Sequence, residues 1–299
     1  MRIDRTGVLG AILISLALLA AACGSGEDTA EAGPTIKIGS ANFGENALVA
    51  EIYAQVLEGK GYSVERNMNI GNREVYAAAL EAGELDLVPE YVGSALSYKL
   101  GTPTADSAAT AQALADAWAV DGIMVLEPAP AQDQNGIVVR QDTADALGLT
   151  KISDLAAHAD LVFGGPPECD ERDLCMIGLQ DVYGLSFAEF KPLDVGGALT
   201  VAALERDEIQ VAVLFTSDGV ISAKGFVLLD DDKSLQPAEN LTPVIRKEVV
   251  DAYGAGLVDA LNDLSAELTT TELREMNRRI GIDGDDPQQV AADWIAENL

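Results

Sequence analysis

The sequence predicts an α/β protein of two lobes with a cleft between them. Short apolar, strand-like runs alternate with helix-like segments at the spacing of βαβ units from residue 35 onward. A proline-rich extended stretch, Glu127-Pro128-Ala129-Pro130-Ala131, interrupts that series, and a second α/β series follows it. The pattern breaks again at Asp230 to Glu239, which holds four acids and Pro237. Two lobes joined by two extended crossings leave an interface of the kind ligands prefer. They also permit hinge closure.

The elements follow in order. Thr35 to Gly39 reads as a strand, and Glu45 to Lys60 as an amphipathic helix with Leu48, Ile52 and Val56 four apart and Val49 beside them. Gly59 and Gly61 end that helix. Tyr62-Ser63-Val64 starts a second strand, Glu74 to Ala82 is a helix, and Leu85 to Val88 is a third strand that Pro89 is expected to stop. A helix near Ala105 to Val120 and a strand at Ile123 to Leu126 complete the first series, and the sheet is expected to be mostly parallel. In the second series the strands are Ile137 to Val139, Leu161 to Phe163 and Ile209 to Phe215. Its helices lie near Ile152 to Ala157, Met176 to Tyr183 and Ala198 to Glu205. Helices dominate the C-terminus, where Asp286-Pro287 is a helix start with proline in the first turn.

The N-terminus gives an address. Arg2 and Arg5, an apolar run from Val8 to Ala22 and small residues before Cys23 make a secretory signal. The run is shorter than the roughly 20 residues a membrane-spanning helix needs. Leu19-Ala20-Ala21-Ala22-Cys23 resembles the lipobox of bacterial lipoproteins, with Ala20 where leucine is usual. Cys23 is then the acylated first residue of a protein held at the outer face of the membrane or in the periplasm. The expected divisions are a signal at 1–22, a flexible tether at 23–34, lobe I at 35–130 plus 237–299, and lobe II at 131–236. In an oxidising compartment Cys169 and Cys175 are expected to form a disulfide, because a metal site needs more soft ligands than two thiolates and one distant histidine.

Composition excludes several functions. The chain carries 49 acidic and 19 basic residues for a net charge of −30. Such a surface is repelled by nucleic-acid phosphates and by anionic membranes, so lipid must do the anchoring. His158 is the sole histidine, and no nucleophile elbow, zinc-binding histidine pair or phosphate-binding glycine loop is present. A carboxylate-dependent hydrolase is the remaining enzyme reading, and nothing pairs the acids for it. No cofactor or metal is implied. Asp230-Asp231-Asp232 lacks EF-hand spacing and reads as a turn.

The ordered blocks Ile38-Gly39-Ser40-Ala41-Asn42-Phe43-Gly44-Glu45-Asn46, Ala50 to Gln55, Gly83 to Ser94, Phe163 to Glu168, Thr216-Ser217-Asp218-Gly219 and Leu229 to Lys233 stand out along the chain. Together they resemble the OpuAC/ProX-type substrate-binding proteins of ABC importers for glycine betaine, choline and related osmolytes. The resemblance implies a two-lobed, periplasmic-binding-protein-like fold of type II, a small osmolyte ligand, an ABC permease partner and no catalysis. It also implies an aromatic cage for a quaternary ammonium group, which has no N–H to donate and is held by ring faces. Tyr91 and Phe215 fall at cage positions. Arg172 falls at the place of an arginine that binds a ligand carboxylate, and Ser94 at the place of a hydroxyl that helps it. Asn135 and Glu239 stand where tyrosines are common, and Ala41 where some relatives have lysine. A half-dismantled cage suits a cationic or zwitterionic ligand, including amines with N–H or O–H donors.

Overall fold

The structure, a computed structural model, describes residues 33–194 and 196–299. The signal, Cys23 and most of the tether lie outside the described residues. Pro34 to Leu299 form one unit.

The first five-stranded sheet has the order β2-β1-β3-β10-β4. Its strands are β1 (Ile36–Ala41), β2 (Val64–Gly71), β3 (Leu87–Tyr91), β4 (Ile123–Val125) and, from the far end of the chain, β10 (Leu241–Arg246). Helix α1 (Gly44–Gly59) packs on one face with α10 (Ala255–Glu267), α11 (Thr270–Arg278) and α12 (Pro287–Asn298). Leu48, Val49, Ile52 and Val56 of α1 are all buried there. The other face carries α2 (Arg73–Glu81), α3 (Val92–Tyr98) and α4 (Ser107–Trp118), whose Leu80, Leu114 and Trp118 are fully buried. The short helix α9 (Lys247–Tyr253) follows β10 directly.

The second sheet has the order β7-β6-β8-β5-β9. It is built from β5 (Asn135–Arg140), β6 (Val162–Gly165), β7 (Glu189–Pro192), β8 (Val211–Phe215) and β9 (Phe226–Leu228). Helices α5 (Gln141–Leu147), α6 (Met176–Tyr183), α7 (Ala198–Glu205) and α8 (Gly219–Lys224) flank it. Ile152–Ala157 is helical as the sequence suggests, but as a 3₁₀ helix. Cys169 and Cys175 are joined in a disulfide and buried in this sheet's core beside Leu179.

Two expectations are corrected. The sheets are mixed rather than mostly parallel. β1 pairs in parallel with β2 and β3, and β6 with β7 and β8, but β10 runs antiparallel to β3 and β4, and β5 antiparallel to β8 and β9. Each of these two strands enters its sheet from a crossing instead of through a crossover helix, so the right-handed parallel geometry of βαβ units does not constrain it. Nor does Pro89 end β3. It sits opposite Pro243 in the antiparallel register, where neither nitrogen is asked to donate to the other, and its carbonyl accepts from Asn46 Nδ2 at 3.0 Å. The helix start at Asp286 is as the sequence indicates, with its carboxylate accepting from the Gln288 and Gln289 amides ahead of Pro287. No helix among the described residues is long and apolar enough to cross a membrane.

Candidate functional site

The turn from β1 into α1 projects Phe43, Gly44 and Glu45 toward the second sheet. Facing them are Phe215 at the end of β8 and Ser217 to Gly219, which lead into α8. Between them lies a cavity of about 860 Å³, lined by Asp133 on the first crossing, by Asn277 near the end of α11 and by Ile280 just after it. The ends of the strands therefore point at one another across a gap, each contributing an aromatic ring. Phe43 is 44% exposed, which is unusual for so large an apolar side chain, and it stacks on Tyr91 with centroids 6.1 Å apart.

The polar floor is rich in carboxyl groups. Glu45 is buried, yet none of the described basic groups forms an ion pair with it. Tyr91 donates its hydroxyl to Glu45 Oε1 at 2.5 Å, and Asn277 Nδ2 donates to Oε2. Ser217 donates its hydroxyl to Asp133 Oδ1 at 2.8 Å. Burial pushes the Glu45 carboxyl above its ordinary range against the pull of its donors. Asp133 is also pushed up, by burial first and by the Glu45 charge second. Asp218, whose carboxylate accepts from the Phe215 amide at 2.8 Å, is raised to about 6, chiefly by burial. Three desolvated carboxyls in one cleft favour a cation as guest, because a positive charge there relieves both the burial cost and their mutual repulsion.

The six residues singled out in the sequence fall into two groups. Tyr91, Ser94 and Glu239 come together around the start of α3. Tyr91 is buried behind Phe43 and Glu45, and burial raises its hydroxyl pKa, with the Glu45 and Asp133 charges adding to the effect. The Glu239 carboxylate is taken by Ser94, accepting from its amide at 3.0 Å and its hydroxyl at 2.9 Å. Gly93 lets this happen, since a Cβ there would lie 2.4 Å from the Ala238 carbonyl oxygen. Behind Tyr91, the fully buried Glu90 is held by Arg73 at 3.0 Å and by the Tyr76 hydroxyl at 2.9 Å.

Asn135, Arg172 and Phe215 form the second group, around a side cavity of about 110 Å³ next to the disulfide. Asn135 sits opposite Phe215 in the β5–β8 register, and its amide points to the Leu174 carbonyl at 3.4 Å. The Arg172 side chain is 64% exposed and lies 3.3 Å from Glu168. Phe215 lines both cavities and so joins the two groups. Sequence reasoning missed Phe43, Glu45, Asp133 and Asn277. The first two lie inside the block Ile38 to Asn46, and Asp133 stands two residues before Asn135. For Asn277, which meets Glu45 across 232 positions, the sequence holds no signal.

Comparison with known proteins bears on this geometry. A family model described as the substrate-binding domain of ABC-type glycine betaine transport systems, OpuAC, matches residues 34–297. The glycine betaine-binding protein YehZ of Escherichia coli is 28% identical over 280 residues, covering 89% of this chain and 92% of that protein. A glycine-betaine-binding protein of Pseudomonas aeruginosa is 29% identical over 279 residues, covering 88% of each. A crystal structure of a glycine betaine/carnitine/choline ABC transporter protein superposes with a TM-score of 0.82 at 22% identity, covering 88% of this chain and 98% of that one, which is a likeness of fold.

Proposed function

The chain belongs to the OpuAC family of substrate-binding domains of ABC-type glycine betaine transport systems, and from that premise we propose that it captures a small quaternary ammonium or related cationic solute outside the cytoplasm and hands it to a membrane permease. One observation carries the ligand class. Phe43 and Phe215 reach from opposite sheets into one cavity of about 860 Å³ whose floor holds the buried carboxyls Glu45 and Asp133. Ring faces hold an onium group at about 0.5–2 kcal/mol each, and the carboxyls supply the opposite charge. On this reading Tyr91 backs Phe43 and fixes Glu45, while Ser94 and Glu239 hold α3 in place behind it. Arg172 exchanges Glu168 for a ligand carboxylate when there is one, with Asn135 beside it. The two sheets act as lobes, with crossings near residues 131 and 237, and no catalytic step is assigned. Cys23 carries the lipid that keeps the receptor beside its permease.

The carboxyls favour a second ligand class as well. Glu45 and Asp133 can accept N–H and O–H donors, so incompletely methylated or hydroxylated amines fit the same floor. Calorimetry against glycine betaine, choline, carnitine and dimethylglycine separates the two. The onium reading expects one molecule bound per chain and affinity falling at least tenfold from glycine betaine to dimethylglycine. The reverse order supports the amine class, and no binding of any of the four overturns the proposal.

A further inference from the structure

Helix α11 belongs to the first sheet by its core, since Leu273 and Met276 are buried with residues of α1, α10 and α12. Its other side meets the second sheet's elements. Arg274 donates Nε and Nη2 to the Thr216 carbonyl at 3.0 and 2.8 Å, and Asn277 donates Nδ2 to the Ser217 carbonyl at 2.9 Å. One step further, a Cβ added to Gly219 would lie 2.3 Å from the Arg278 backbone nitrogen, so the two helix backbones touch. Residues 216–218 lead into α8, which Gly219 begins and whose Ile221 is buried in the second sheet's core. These contacts form a connection separate from the two chain crossings.

The same Asn277 Nδ2 also donates to Glu45 Oε2. A side-chain amide nitrogen has two hydrogens to give. Here one goes to a carboxylate on the first lobe and the other to a carbonyl on the second. We infer that Asn277 is a positioning residue for ligand capture: it orients the Glu45 carboxylate in the cleft and ties it to the opposite lobe, so that a cation drawn to Glu45 is coupled to the geometry of closure. The ligand half of this inference rests on the function proposed above; the tie between lobes does not. The titratable groups lining the same cavity are Glu45 from the β1–α1 turn, Asp133 from the crossing, Asp218 ahead of α8 and Lys224 at its end, which pairs with Glu205; Arg274 and Arg278 lie on the amide's own helix.

The test uses the full chain, with glycine betaine as probe. Asn277→Asp keeps the side-chain size but replaces the donating amide by an acceptor beside Glu45. Asn277→Ala removes the group altogether, and Gly219→Ala pushes α8 from α11 without touching amide or carboxylate. Both Asn277 variants are expected to lose at least tenfold in affinity. Measured against wild type at the same pH, the Asp variant should recover part of it as pH falls toward the carboxylate range, because a protonated carboxyl can donate again; Asn277→Ala should not. Hydrogen exchange without ligand should accelerate in residues 216–224 and 270–278 for all three variants. Wild-type affinity in Asn277→Asp, or exchange rising evenly along the chain, overturns the inference. Localised exchange in a protein that binds no glycine betaine keeps the tie between lobes and removes the ligand reading.

Discussion

On the proposed function, Glu45 is the single side chain that would turn the cleft into a cation receptor. A carboxyl buried without a basic partner is costly to ionise, and its raised pKa expresses that cost. For the empty protein the sign is clear. Glu45, Asp133 and Asp218 hold protons in the fold that they lose when unfolded, so their contribution to stability is full below the ordinary carboxylate range near pH 4 and is lost as pH rises through their folded values, about 6 for Asp218. Ligand binding runs the other way, because a cation favours the ionised carboxyls and its capture expels protons. Affinity for choline is therefore expected to rise between pH 5 and pH 8, with proton release seen as a buffer-dependent calorimetric heat. Glu45→Gln should raise the stability of the empty protein at neutral pH and weaken choline binding by about tenfold or more, near 1.4 kcal/mol. Unchanged choline affinity in that variant would remove Glu45 from the site.

At the scale of elements, the sequence shows most of what local chemistry determines. The apolar repeat of α1, the Asp286-Pro287 start of α12, and the spans of α6 and α7 could all be read because helix periodicity and capping act within a few residues. The mixed sheets, the Pro89–Pro243 pairing and the Asn277 bond to Glu45 could not, since each depends on which distant strand or helix arrives alongside. The loop from Pro166 to Cys175 lies between these cases. Its disulfide was legible from compartment and spacing, whereas its place beside Phe215 was not. This loop presents Arg172, so a double Cys169→Ser, Cys175→Ser variant is expected to lose about 2–4 kcal/mol of stability. At temperatures where the variant stays folded, it should bind glycine betaine more weakly than wild type and bind choline equally well, because only the former has a carboxylate for Arg172. An equal loss for both ligands would mean that the loop shapes the cleft in general and that Arg172 has no such role.

For the whole molecule, the question is how the cleft stays accessible yet closes on its guest. Its aromatic rings sit on different sheets, Phe43 on the β1–α1 turn and Phe215 on β8, so neither lobe alone can surround an onium group. A ligand that touches both stabilises the closed arrangement by its differential affinity for it and by nothing else. Small-angle scattering of the full chain should show a smaller radius of gyration with saturating glycine betaine than without. An unchanged radius would mean that the structure is already closed and that capture requires some other opening. The net charge of −30 acts at this scale too. A strongly acidic receptor draws cations toward it and repels anions, and that long-range field is screened by salt over about 10 Å at 0.1 M. Glu45 is buried, and the contact proposed for it with choline would be poorly screened, so rising salt should slow choline association while leaving its dissociation nearly constant. Glycine betaine, with no net charge, should show little salt dependence in either rate. The two ligands thus separate what the surface field contributes to encounter from what the cleft contributes to retention.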